Sequence, residues 1–302
     1  MATATENMRG AGLMSLCMAA FTLNDACMRA IAGDLPIPQI LCLRGALTAT
    51  LLAALAVWRG QMLSLVRLPR RDRRLLALRS LGEVITGFSV VISLNFMSLS
   101  TFTAIGQAGP LSLTLAGALF LGEPVGWRRL LAILVGFCGV LLIIRPGAEA
   151  FHPTSLFALC AVAGLTLRDL VARRISAAAP PMIVALGGAV AVTLASGVWS
   201  LWADWSVPAP ATGLGIVTGA VCLVAAYVLS VMAMQVGEIG FVAPFRYAGL
   251  VWALVLGIVF LGERPDLLTL AGAAVVVGTG GYTFYRERTL ARRRALAART
   301  GG

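Results

Sequence analysis

The run Gly117-Ala118-Leu119-Phe120-Leu121-Gly122-Glu123 closes a long apolar segment, and its pattern, Gly-x-x-Phe-Leu-Gly-Glu, returns 140 residues later as Gly257-Ile258-Val259-Phe260-Leu261-Gly262-Glu263. A second pair lies earlier in each half. Thr22-Leu23-Asn24-Asp25, with Arg29 one turn on, is matched by Thr166-Leu167-Arg168-Asp169, with Arg173, at an offset of 144. Two motifs repeated at nearly half the length of a 302-residue chain mark a duplication. The halves divide as residues 1–147 and 148–302, the second carrying a basic tail.

Composition sets the environment. With 59% hydrophobic and 12% charged residues and a mean hydropathy of +0.90, the chain has more apolar side chain than one soluble core can enclose. About 20 mostly apolar residues cross the hydrocarbon as a helix. The chain offers ten such segments, near 10–32, 36–58, 76–97, 100–121, 127–145, 154–176, 181–202, 212–235, 239–261 and 266–285. Breakers such as Gly33-Asp34-Leu35-Pro36, Arg145-Pro146-Gly147 and Val207-Pro208-Ala209-Pro210 keep the connections short, as antiparallel neighbours require. The 33 glycines suit helices that gain contact energy by close backbone approach, since lipid supplies no hydrophobic drive between them. The first run carries Asp25 and Arg29 and no small-residue cleavage site, so it is expected to stay as a helix. The six cysteines lie in apolar runs without Cys-x-x-Cys spacing, which points to packing rather than to metal or disulfides.

The positive charge comes entirely from arginine. With the N-terminus inside, 17 loop and terminal arginines fall on the cytoplasmic side, and only Arg145 and Arg264 fall on the other. That asymmetry places both termini in the cytoplasm. Five spans per half is an odd number, so the second half enters the membrane upside down relative to the first, as in many secondary transporters. The expected fold is an all-α integral membrane protein with ten transmembrane helices in two inverted five-helix repeats. Glu123 and Glu263 then close the fourth and ninth spans on opposite faces, each as a polar helix end at the water boundary.

Ten spans in two inverted halves, the paired Gly-x-x-Phe-Leu-Gly-Glu ends and the arginine-rich second loop resemble the drug/metabolite transporter superfamily, and within it the EamA-type branch. The likeness runs over residues 10 to 285. The branch includes exporters of amino acids, aromatic ones among them, and of other metabolites. The resemblance therefore implies an amino acid or similar metabolite as substrate.

An ionisable residue deep in a span costs on the order of 2.5–3.5 kcal/mol by insertion scales and is a functional candidate by default. At 1.5 Å per residue, Asp25 lies roughly 10 Å below the outer surface and Arg44 roughly 12 Å, while Glu83, Asp169 and Arg246 lie roughly 10 Å from the inner one. Arg29 and Arg173 stand at i+4 from Asp25 and Asp169, on the same helical face, where a local ion pair lowers the insertion cost. Asp25, Arg29, Arg44, Glu83, Asp169, Arg173 and Arg246 are thus gating or coupling candidates, in an outer and an inner layer that could pair and open in turn. Structural pairing is the plainer alternative. Arg79 reads as a helix-end anchor. An uncharged belt between the layers would hold the substrate, with Gln107 and Pro110 in the fourth span and Pro244, Tyr247 and Trp252 in the ninth. Each proline removes a backbone hydrogen bond, so Pro110 and Pro244 are candidate hinges or permanent kinks. Trp58, Trp127, Trp199, Trp202 and Trp205 fall at span ends, as an interfacial belt expects. Trp252 does not; with Tyr227 and Phe88 it could line an apolar pocket with polar tips, or simply pack.

The only histidine, His152, sits in an outer loop, and neither a nucleophile elbow nor a phosphate-binding loop is found, so no enzyme, metal or cofactor is expected. The basic loop at Arg70 to Arg74 and the tail at Arg292 to Arg294 suit anionic lipid better than nucleic acid. The expectation is a bacterial inner-membrane secondary transporter exporting small metabolites, amino acids foremost, by alternating access around a midplane cavity, with a monomer sufficing. Uptake of another solute on the same fold and a non-transporting structural subunit are the alternatives. Each acid has an arginine within reach, which favours uncoupled movement over proton antiport. In a cysteine-free background, an impermeant thiol reagent added to intact cells should label Ala150→Cys and spare Arg71→Cys; the reverse pattern would invert the topology.

Overall fold

The computed structural model describes residues 4–122, 126–145, 153–176, 179–236 and 239–300, with no strand among them. Glu123 and residues 146–152, His152 among them, lie outside the described residues. Helices α1 (Ala4–Ala30), α2 (Ile37–Trp58), the short α3 (Met62–Arg67) and α4 (Arg70–Phe96) are followed by α5 (Leu99–Gly106), α6 (Gly109–Leu121) and α7 (Trp127–Ile144). The rest forms α8 (Ser155–Ala172), α9 (Pro181–Trp199), α10 (Pro210–Val236), the short α11 (Ile239–Val242), α12 (Ala248–Leu261) and α13 (Leu267–Thr300). Among the described residues, ten helical segments are long and apolar enough to cross a membrane, the fourth being α5 and α6 together and the ninth running from Pro244 to Leu261. The chain is an all-α, multi-pass membrane protein. Its third span starts at Arg70 rather than near residue 76, because Pro69 supplies the extended cap and the arginines prolong the helix beyond the apolar run.

The doubled Gly-x-x-Phe-Leu-Gly-Glu motif is a helix stop. Gly122 and Gly262 end α6 and α12 with φ of 67° and 65°, a left-handed conformation that glycine adopts without a Cβ penalty. The Glu263 N–H donates back to the Gly257 carbonyl at 2.8 Å, and the cap of α6 closes likewise on Gly117. Glu263 does more than end its helix at a water boundary. Its carboxylate accepts from the backbone N–H groups of Leu99 at 2.6 Å and Ser100 at 3.1 Å, and from the Ser100 hydroxyl at 2.5 Å. These N–H groups open α5, where they have no partner within the helix and the dipole favours an anion. Gly257 makes room for this contact: a Cβ there would stand 2.5 Å from the Glu263 carboxylate.

Helices pair mainly across the halves, α1 with α10, α4 with α8, α2 with α9 and α7 with α13. Exchanging the halves turns α1–α10 into α8–α4 and returns the other two pairs to themselves. Polar pins at the ends repeat the exchange. Thr212, opening α10, donates to Asp34 after α1 at 2.7 Å, and Ser176 after α8 donates to Asp72 in the first turn of α4 at 2.5 Å. Arg145, past the end of α7, pairs with Asp266, which caps α13 by accepting from the Thr269 N–H at 2.7 Å. Hydrogen bonds from Thr269, the backbone one foremost, and from Arg145 hold the Asp266 carboxyl below the ordinary carboxylate range. Trp58, Trp127, Trp202 and Trp205 are exposed near span ends.

Glycine sets the crossings. A Cβ on Gly82 would stand 2.8 Å from the Arg168 nitrogen, and one on Gly164 would stand 2.9 Å from that of Thr86, so α4 and α8 touch backbone to backbone. At the α7–α13 crossing, a Cβ on Gly272 would stand 2.6 Å from the Gly139 carbonyl oxygen. Backbone cannot rotate aside as a side chain can. Gly82→Leu and Gly272→Leu should therefore each lower the stability of the purified protein by roughly 1–3 kcal/mol or more in thermal melts. Gly12→Leu, with no atom within 4 Å of its Cβ position, should melt like the parent; equal melts for all three would discount the close crossings.

Candidate functional site

A cavity of about 650 Å³ lies where the halves meet. Two of its walls are broken helices. The fourth span stops at Gly106, turns through Gln107 and Ala108, and restarts as α6 with Pro110 in its first turn. In the ninth, α11 gives way to a 3-10 stretch, Ala243–Tyr247, that holds Pro244 in its first turn. Proline has no N–H to donate, which favours a break at these points. Irregular backbone survives at membrane depth where it lines a cavity, and Gln107, Pro110, Pro244 and Tyr247 all line this one.

Asp25, Arg44, Glu83, Asp169, Arg173 and Arg246 line the same cavity. The charges are therefore part of its wall rather than layers bracketing an uncharged belt. Glu83 is the most heavily engaged. Arg168 NH1 lies 3.0 Å from its Oε2, Arg79 NH2 lies 3.6 Å from its Oε1, and the Tyr227 hydroxyl donates to Oε1 at 2.8 Å. Arg79, expected at the boundary, is buried in this cluster and donates to the Val184 carbonyl at 3.1 Å; its i+4 position keeps it on the face of Glu83.

Asp169 takes Arg168 Nε at 3.0 Å and, more loosely, Arg246 NH2 at 3.7 Å. Among the described residues no ion pair joins Asp25 to Arg29 or Asp169 to Arg173, which corrects the pairing expected from i+4 spacing. Both arginines stand at or just past the last residues of their helices. Arg29 is off the cavity, and Arg173 is at its lining.

What the acids use instead is the residue directly before them. Asn24 Nδ2 donates to Asp25 Oδ1 at 2.9 Å, and its Oδ1 accepts from Arg44 NH1 at 3.2 Å. Arg168 donates to Asp169 and reaches Glu83 on α4. Asn24 and Arg168 occupy the variable position of the repeated Thr-Leu-x-Asp motif, so aligning the halves was the signal that could have found them. Tyr227 follows Glu83 by the same 144 residues, and their bond joins equivalent positions.

Two candidate aromatics lie elsewhere. On α4 the cavity face runs through Glu83, Thr86, Gly87 and Val90, and Phe88 falls off that helical face, stacking on Trp199 with centroids 5.3 Å apart. Trp252 turns its Nε1 toward Ser15 Oγ at 3.5 Å. Phe21, edge-on to Tyr227 at 5.7 Å, Phe102 and Phe284 supply the aromatic lining with the two tyrosines. The hydroxyls of Tyr247 and Thr283 are buried at the cavity without a hydrogen-bond partner among the described residues. No group of three His, Cys, Asp or Glu able to hold a metal occurs among the described residues.

The EamA-like transporter family matches residues 8–145 and 152–281, one block in each half. The chain belongs to that family. Among its curated relatives, an S-adenosylmethionine uptake transporter of Rickettsia bellii is 25% identical over 65% of this chain and 67% of the relative. A pseudopaline exporter of Pseudomonas aeruginosa is 26% identical over 88% of this chain and 93% of the relative, and a riboflavin transporter of Vibrio cholerae is 28% identical over 64% and 65%. Proteins named as an exporter and as an uptake transporter are thus both among its relatives. A solved crystal structure, 19% identical, agrees in fold with a TM-score of 0.64 over 92% of this chain and 98% of its own.

Glu83 answers two buried guanidinium groups of this EamA-like transporter, and Glu83→Gln leaves both under-compensated, at an expected cost of roughly 3–5 kcal/mol. Tyr227→Phe should cost about 1 kcal/mol. Arg246→Ala, whose pair is long and partly exposed, should cost under about 1 kcal/mol. Thermal melts in detergent check this ranking; indistinguishable melts would remove the Glu83 cluster as the tie between α4 and α8.

Proposed function

We propose that this EamA-like transporter exports small metabolites, amino acids foremost, from the cytoplasm across a bacterial inner membrane by alternating access. The reading is carried by one observation, the charged cavity walled by two broken spans where the halves meet. A cavity of about 650 Å³ falls in the range of small-molecule sites. Residues 1–147 and 148–302 act as inverted repeats; the exchange-related helix pairs and the Glu83–Tyr227 bond support that plan.

The arginine asymmetry supports cytoplasmic termini. On that orientation the cavity extends toward the cytoplasm past Arg129, Arg173 and Phe284, as an inward-facing state would. Gln107, Tyr227 and Tyr247 contact the substrate, with Phe88 and Trp252 bracing the walls from behind. Pro110 and Pro244 serve as hinges. Asp169–Arg246, the longest ion pair in the lining, is the contact that yields during rocking, while Arg29 and Arg173 flank the two ends of the path. The uptake and riboflavin relatives favour a second reading, import of another metabolite through the same cavity.

Counterflow in proteoliposomes tests both. Labelled amino acids should accumulate only in vesicles preloaded with the same compound, and Arg246→Ala should cut the initial rate several-fold. Exchange of a flavin or nucleoside-bearing solute without amino-acid exchange would replace the first reading with the second. No exchange of any solute would favour a non-transporting subunit.

A further inference from the structure

The two halves place the same four-residue motif at the cavity, but they balance its charge differently. In the second half the residue before the acid is Arg168, a cation that pairs with Asp169 and Glu83 together. In the first half it is Asn24, a neutral amide that holds Asp25 with one end and Arg44 with the other. Among the described residues, no ion pair joins Asp25 or Arg44 to any opposite charge. An acid and a guanidinium therefore stand side by side on the cavity wall, bridged by one amide rather than joined in a direct ion pair.

Both are held in place. Asn24 is 3% exposed and Arg44 is 6% exposed, and Arg44 Nε has no hydrogen-bond partner among the described residues. A buried guanidinium with donor capacity to spare calls for an acceptor with two oxygens. A carboxylate with a single amide donor calls for a cation. One small ligand carries both on adjacent atoms.

We propose that Asp25, Asn24 and Arg44 form a clamp for a zwitterionic α-amino-acid head group, with Arg44 taking its carboxylate and Asp25 its ammonium. An α-amino acid bears these two groups on one carbon, and a single amide separates the two receiving groups here. The body of the ligand extends along Phe21 and Phe102, which line the same cavity. The clamp rests on the transport reading above and narrows it to compounds with an intact amino-acid head, whatever their side chain.

The test uses the full chain in nanodiscs and labelled phenylalanine, methionine, leucine, glutamate and lysine as probes. The tightest binder is then competed with its amide, which lacks the carboxylate, and with its deamino acid, which lacks the ammonium. On the parent protein each analogue should compete about tenfold or more worse than the amino acid, because a site built for a polar group rejects the compound lacking it. Asp25→Asn should erase discrimination against the deamino acid only, and Arg44→Gln discrimination against the amide only. This crossed pattern is something a structural role would not produce. Asp25→Asn is isosteric, so it decides the matter alone if Arg44→Gln does not purify as a folded species. Unchanged discrimination in Asp25→Asn, or no binding of any of the probes to the parent, overturns the clamp. Counterflow of another solute in that second case would leave transport standing, and its absence would remove both.

Discussion

A carboxylate at membrane depth has to be answered by a cation, and much of this structure follows from how Glu83 meets that requirement. Two guanidinium groups and a phenol hydroxyl surround it, drawn from α4, α8 and α10. Arg168 can reach across only because Gly82 and Gly164 let the two backbones touch. Close packing and charge compensation are therefore one device. In lipid, dispersion and buried polar contacts hold helices together in place of the hydrophobic effect, and a poorly matched pair would forfeit both.

The doubled motifs meet in corresponding places and differ in their charges. Asp25 and Asp169 are equivalent, as are Asn24 with Arg168 and Glu83 with Tyr227. Arg168 of the second half joins Asp169 to Glu83 of the first in a cluster on the cavity wall that ties α8 to α4. The first half, with an amide where its counterpart has a guanidinium, keeps its acid and base apart and open to the cavity. The variable position of the four-residue motif thus carries a direct ion-pair partner in one half and a bridging amide in the other.

The repeated helix stop shows a similar economy. Gly262 turns the chain, Gly257 clears the space, and Glu263 delivers its carboxylate to the start of α5 in the other half. The same residues that end one span thus anchor the beginning of another. Behind them, the breaks at Gln107–Pro110 and at Ala243–Tyr247 leave polar backbone at depth, tolerable only because it borders a cavity.

The sequence by itself determined the class and the ten spans, and it carried the doubled motifs. Apolar run length, breaker residues and motif spacing are properties of neighbouring residues or of simple offsets, and they survive without knowledge of packing. It also marked Asp25, Arg44, Glu83, Asp169 and Arg246, since a charge inside an apolar run stands out wherever it later points. Partner choice was decided by tertiary structure alone. Helical spacing suggested Arg29 and Arg173 for the two aspartates, yet Arg168, Arg246 and Asn24 with Arg44 took those places, and Arg79 moved from the boundary into the cluster. The reason is geometric: i+4 spacing sets only which face a side chain shares, whereas the nearest opposite charge depends on which helix lies alongside and how closely its glycines allow it to approach.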